Sequence, residues 1–273
     1  MKLLYRSAEG ALAHSILRAS ARSTLLSVCF AISIPMSFGG SIILDQNAIV
    51  NPGAEAGGPG SASGNDVLSV PGWTTTDNFT VAQYGASAAP VIAPGSGFGT
   101  NFFSGGPGGT FFQGTYGGPT YSDQASQFID VSNVAGLIDG NQVTFTMSGY
   151  FGGYLNQNDS ASLYATFFDG SNSSLGTSTV IGGFNSTARG GQSILLYDAT
   201  GGLIPVGTRS VEITLVMTKV EGYYDDGYAD NLSFIATDPP LPDATPEPST
   251  WMLSGIGVAG LWLARRKSAI ARV

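Results

Sequence analysis

Asp225, Asp226, Asp230 and Asn231 put three carboxylates and an amide within seven positions. Calcium takes about six to eight oxygen ligands, and neighbouring carboxylates repel unless they are solvated or neutralised by a cation. The group therefore reads in two ways, as part of a calcium site or as a solvated acidic turn. A second group is aromatic and amide in character: Tyr150, Tyr154, Asn156, Asn158, Tyr223 and Tyr224. Rings that stack on the apolar faces of sugars, beside amides and carboxylates that bond hydroxyls, suit carbohydrate recognition. Arg189 can clamp an acidic sugar or pair with a carboxylate of the body. Trp73, after Pro71-Gly72, is either a ligand platform or a core anchor, since Trp buries most of its area in most folds.

What the chain lacks narrows its chemistry. Its single His is His14 and its single Cys is Cys29. Both fall in an N-terminal leader, so the body is expected to be without Ser-His-Asp or Cys-His nucleophiles, His- or Cys-ligated zinc, haem, iron–sulfur clusters and disulfides. Paired carboxylates of a glycoside hydrolase remain open, but Glu is scarce and Glu212 sits on a regular strand pattern. The expectation is a non-catalytic protein. From Ser41 to Thr245 the chain has three basic residues against seventeen acidic ones, a net charge of −14. Such a body does not bind nucleic acid electrostatically.

The elements that must position these residues are strands. Asn141–Phe151, Ala161–Asp169, Ser193–Asp198, Arg209–Val220 and Tyr228–Thr237 alternate apolar and polar residues between turn residues. Shorter candidates are Ile42–Leu44, Phe79–Tyr84, Asn101–Phe103, Ser126–Val131 and Leu175–Ile181. No long helical stripe precedes Pro246. Many short antiparallel strands at this spacing predict an all-β sandwich.

The two ends read as addresses. Lys2, Arg6, Arg18 and Arg22 precede an apolar run from Thr24 to Phe38, and Ser37 and Gly39 suit cleavage near Gly39–Gly40. At the other end Trp251 to Ala264 carries no charge, and Arg265, Arg266 and Lys267 follow as a membrane stop. As a helix this stretch spans a bilayer marginally, with the cationic end cytoplasmic. Gly255, Gly257 and Gly260 match a dinucleotide fingerprint, yet only a short basic tail follows. They are better read as small residues of a membrane helix.

Pro246-Glu247-Pro248, the apolar span and the basic cluster together resemble the PEP-CTERM sorting signal. That resemblance implies export in a Gram-negative bacterium, transient anchoring in the inner membrane, and cleavage near Pro246–Pro248 by an exosortase-type protease. Delivery to the cell surface or exopolysaccharide matrix would follow. The body also has a likeness. "IVNPGAEAG", "PGWTT", "VTFTMSGYFGG", Ile204-Pro205-Val206-Gly207-Thr208 and "DDGYADNLSF" follow the order of galactose-binding-like jelly rolls, as in carbohydrate-binding modules. In those modules an Asn-x-x-x-Glu turn and an Asp-rich opening of the last strand meet at a structural calcium. The resemblance implies such an ion at Glu55 and Asp230, with Asn51 and Asp226 as companions.

The resulting organisation has four parts. A signal peptide occupies 1–40, a jelly-roll β-sandwich 41–237, a Pro-rich linker with the PEP motif 238–248, and a transmembrane helix with its basic tail 249–273. The expected function is polysaccharide binding through Tyr150, Tyr154, Asn158, Arg189, Tyr223 and Tyr224. The alternative is a structural or adhesive matrix protein without a small ligand.

Overall fold

The computed structural model describes residues 38–92, 96–107 and 120–238, with isolated helical positions at 256, 261, 262 and 265. Its strands are β1 (Phe38–Ser41), β2 (Thr74–Thr75), β3 (Thr80–Gln83), β4 (Asn101–Gly106), β5 (Tyr121–Asp130) and β6 (Thr144–Gly153). They continue with β7 (Ser160–Phe168), β8 (Ser174–Thr177), β9 (Ile181–Gly182), β10 (Leu195–Leu203), β11 (Ser210–Lys219) and β12 (Asp225–Thr237). A single helical turn, α1 (Ala135–Asp139), sits between β5 and β6.

These strands form two sheets. One has the order β1-β5-β11-β7-β8, with β2 on β5 and β9 on β7; the other is β10-β6-β12-β4-β3. Only β1 runs parallel to its neighbour among the strand ladders. From β4 to β7, and again from β10 to β12, successive strands cross from one sheet to the other, the winding of a jelly roll.

Alternation explains the core. Along β11, Val211, Ile213, Leu215 and Met217 are buried beside Leu163, Ala165 and Phe167 of neighbouring β7, and share one apolar cluster with Phe145, Met147 and Phe151 of β6 in the other sheet. Phe145 stacks on Phe234 of β12, ring centres 5.4 Å apart. Trp73 belongs to this core: its ring meets Phe103 edge-on at 5.5 Å and its indole N–H donates to the Asn51 carbonyl.

Several strand expectations shift for identifiable reasons. β5 begins at Tyr121 rather than Ser126, because its inward row continues through Asp123, a residue that breaks the apolar pattern. β10 runs on through Gly201 and Gly202 to Leu203. A Cβ on Gly201 would lie 2.7 Å from the Phe145 carbonyl, so the gap in the pattern is a close-approach requirement. The expected strand Leu175–Ile181 divides into β8 and β9, and the one expected at Ile42–Leu44 lies earlier, as β1. That strand starts at Phe38 and so spans the predicted Gly39–Gly40 cleavage point.

The signal-peptide charges and apolar run up to Ser37, the linker after Asp238, Pro246, Glu247, Pro248, Arg266 and Lys267 lie outside the described residues. Among the described residues no helix is long and apolar enough to cross a membrane.

Candidate functional site

The outer face of the five-stranded sheet carries a run of rings. Tyr150 of β6 stands opposite Tyr197 of β10 and Asp230 of β12, on the face away from buried Phe151. Edge contacts continue from Tyr197 to Tyr150 (5.3 Å), Phe98 (4.8 Å) and Tyr84 (6.0 Å). They pass on to Phe102 at 5.0 Å and Tyr228 at 5.2 Å. Phe102, Tyr228 and Ala82 form a small second apolar cluster, flanked by Tyr84, Ala89, Tyr154 and Leu195. An outer sheet face with this much ring surface is unlike the polar outside of an ordinary sandwich.

At the Tyr228 end the run opens into a cleft of about 370 Å³. Tyr154, Tyr223 and Tyr224 form its rim, Phe102 and Tyr228 its apolar floor, and Asp226 its carboxylate. Tyr223 and Tyr224 are 43% and 40% exposed. Three of the six expected ligand residues thus meet in one place. Tyr150 lies along the ring run outside the cleft lining. Asn158 bonds within the fold, donating to Glu221 (2.9 Å) and accepting from Ser186 (2.9 Å).

Arg189 is not a ligand clamp, and here the expectation is corrected. It is 2% exposed, and all five of its donors reach backbone carbonyls. Nη1 donates to Asp159 and Phe184, Nη2 to Leu155 and Gln157, and Nε to Gln192. The guanidinium therefore braces the 154–159 loop that presents Tyr154. Asp159 does the same for the facing rim. Its Oδ1 accepts from the backbone N–H of Val220 (2.7 Å) and Glu221 (2.8 Å), and its Oδ2 from Asp226 (3.1 Å). These three donors bracket the turn that carries Tyr223 and Tyr224. Burial pushes the Asp159 carboxyl up, while those donors and Lys219 pull it back.

Behind the cleft, between the sheets, Asp123 of β5, Lys219 of β11 and Asp225 of β12 are fully buried. Asp123 Oδ2, Asp225 Oδ2 and Lys219 Nζ have no hydrogen-bond partner among the described residues. Lys219 Nζ instead lies 5.6 Å over the Tyr121 ring. The Asp123 and Asp225 carboxyls face one another, and two carboxyls so placed do not both ionise. Burial raises Asp123 to about 6 and Asp225 well above its ordinary value, and the Asp123 charge adds to the rise at Asp225. Burial also lifts Asp226 to about 6, opposed by the Tyr228 hydroxyl that donates to its Oδ1 at 2.9 Å.

Glu55 and Asp230 come together elsewhere on the same sheet. β12 has an irregularity after Asp230, with Asn231 at φ 49°, and Leu232 there takes the Pro52 carbonyl. This docks the 51–55 turn beside the strand, so that a Cβ on Gly53 would lie 3.3 Å from Asp230 Oδ1 and 3.9 Å from Glu55 Cγ. Glu55 accepts from Thr100 N (2.8 Å), Thr100 Oγ1 (2.8 Å) and Asn101 N (2.9 Å). It lies so close to Gly99 that a Cβ there would be 2.0 Å from Oε1. Asp230 accepts from Tyr84 Oη (2.6 Å) and Asn231 N (2.6 Å). Burial raises Asp230 to about 7, the two donors oppose it, and the Glu55 charge adds to the rise.

Two companions expected for this pair do not join it. Asp226 lies four residues away along an extended strand, roughly 13 Å, and faces the cleft. Asn51 shapes its own turn, accepting from Ala56 N and donating to the Pro71 carbonyl. Among the described residues no group of three His, Cys, Asp or Glu side chains converges to hold a metal. Any ion at Glu55 and Asp230 must complete its shell with amide, carbonyl or water oxygens. The rings of Phe102, Tyr197 and Tyr228 escaped notice in the sequence, because an outward aromatic on a strand looks like half of an ordinary alternation, and Tyr84 and Phe98 escaped it because they lie in the connection between β3 and β4.

Residues 244–267 match the PEP-CTERM protein-sorting motif. This chain carries a sorting signal. No curated protein matches the chain in sequence. Among solved structures, a "Family 16 Carbohydrate Binding Module-2" is 16% identical with a TM-score of 0.40, over 69% of this chain and 99% of that one. An apo cyclase from Fischerella sp. is 13% identical with a TM-score of 0.47, over 71% and 97%. The enzymatically active domain of bacteriophage CBA120 tailspike protein 4 is 16% identical with a TM-score of 0.40, over 70% of this chain. The chain spans only 21% of that tailspike's length.

Proposed function

We propose that this is an exported, surface- or matrix-sorted protein whose sandwich binds polysaccharide, without catalysis, in the Tyr154–Tyr223–Tyr224 cleft. The observation that carries the reading is the cleft itself. Half-buried Tyr154 on one braced loop and exposed Tyr223 and Tyr224 on the other line it over an aromatic floor, with Asn65, Gln157 and Ser104 supplying polar contacts. Sugar rings stack on such surfaces while amides and hydroxyls fix their orientation. The sorting motif supports the rest: an exosortase-type protease cleaves near Pro246–Pro248 after transient inner-membrane anchoring by the C-terminal segment.

The galactose-binding-like assignment of the jelly roll belongs to the same proposal, as does structural calcium at Glu55 and Asp230. The pair fits an ion in charge and placement, since two carboxylates held side by side repel until a cation joins them. The ion would tie the first turn to the last strand.

Affinity electrophoresis of the purified protein in gels containing a panel of bacterial polysaccharides tests the cleft. Retardation should occur with at least one, and Tyr154→Ala combined with Tyr223→Ala should abolish it while the protein still melts cooperatively well above the assay temperature. Retardation that survives the double substitution refutes the cleft. No retardation by any glycan favours a structural matrix protein.

A further inference from the structure

The charge pattern of the cleft goes further than its rings. Among the described residues that line the cleft, Asp226 is the one charged side chain. Both cations near it are turned inward: Arg189 gives all five donors to backbone carbonyls, and Lys219 is 0% exposed beneath the floor. A ligand entering between the Tyr154 and Tyr223–Tyr224 rims thus meets a carboxylate and no positive side chain.

Asp226 is also placed to accept. The Tyr228 hydroxyl donates to Oδ1, and Oδ2 takes no hydrogen bond among the described residues. The backbone N–H of Asp226 is held by Asp159, which fixes the residue at the cleft wall. A carboxylate partly withdrawn from water strengthens a bond to an ammonium and repels a second carboxylate, because little solvent screens either.

We infer that the cleft takes an amine-bearing glycan, a polymer of amino sugars with free ammonium groups, and that Asp226 selects it over neutral and uronate-bearing chains. This rests on the polysaccharide-binding reading and names its ligand class. Tyrosine rings serve the same ligand twice. They stack on the sugar's apolar face and, with the cation nearby, add attraction through the ring quadrupole. The strongly acidic body draws such a polycation toward the surface and holds polyuronates away.

The test is calorimetric titration of the purified protein at pH 7 and low salt with β-1,4- and β-1,6-linked glucosamine oligomers. Their N-acetylated counterparts and a uronate oligomer are run beside them. A charge-assisted bond replacing a neutral one predicts roughly tenfold tighter binding of the amine form than of its N-acetylated partner. Uronate should bind weakest. High salt should shrink the ratio, and Asp226→Asn should bring it to about one. Equal affinity for amine and N-acetyl forms, tighter uronate binding, or an unchanged ratio in Asp226→Asn each overturns the selection while leaving glycan binding intact. Failure of every oligomer to bind overturns both.

Discussion

Arg189 and Lys219 are two cations buried at the same end of the sandwich, both within electrostatic reach of Asp159, and their surroundings could hardly differ more. Every donor of Arg189 meets a carbonyl, whereas Lys219 Nζ has no hydrogen-bond partner among the described residues. The carboxylates divide the same way. Asp159 is met by three backbone donors, while Asp123 and Asp225 each keep an unmet oxygen and burial raises both carboxyls. A buried charge that is fully met becomes part of the scaffold; one that is not met sheds its charge or waits on its neighbours.

The largest effect should come from removing the fully met cation. Arg189→Met leaves five carbonyls without their donor and should cost about 3–5 kcal/mol. For a domain of this size that corresponds to a melting temperature lower by roughly 10 °C. Arg189→Lys should not rescue it, since an ammonium cannot reach five acceptors arranged for a planar fork. A melting temperature within a degree or two of the parent would break the contrast.

Next comes pH, read in EDTA. Asp123 and Asp226 titrate near 6, Asp230 near 7, and Asp225 above its ordinary value, all higher than in an unfolded chain. The folded state therefore holds protons that the unfolded state has released. The stability they contribute is present below about pH 4 and lost as pH rises through 6 and 7. Thermal melts should show greater stability at pH 5 than at pH 8, and Asp225→Asn should flatten the slope. A curve that climbs toward pH 8 contradicts the raised carboxyls.

Glu55 and Asp230 are the intermediate case, hydrogen-bonded yet mutually repelling. Calcium should raise the melting temperature at pH 7 by a few degrees and EDTA should reverse it, following mass action at a single site. An EDTA-insensitive melt removes the ion. The smallest change belongs to Lys219→Met, which should leave stability unaltered or slightly higher, as apolar replacement of a poorly satisfied buried charge often does. A loss comparable to that of Arg189→Met would mean that Lys219 is met after all.

The sandwich was legible because β6, β7, β11 and the second half of β12 keep strict two-residue alternation, a pattern that depends only on the pleat. Tyr154, Tyr223 and Tyr224 were legible as loop aromatics. Arg189 was misread: a lone basic residue among glycines looks exposed until the carbonyls around it are known. Asp226 was grouped with Asp230 because closeness in sequence suggests closeness in space, yet on an extended strand four residues separate two sites.

By itself the sequence determined the all-β pattern, an acidic stretch from 41 to 245 without His or Cys, and a sorting motif at 244–267, since composition and periodicity are local properties. The tertiary structure alone decided which carboxylates meet, which cation is buried, and that rings from four strands and three loops share one face. Those follow from strand order and from an irregularity after Asp230, and neither is written in any contiguous stretch of residues.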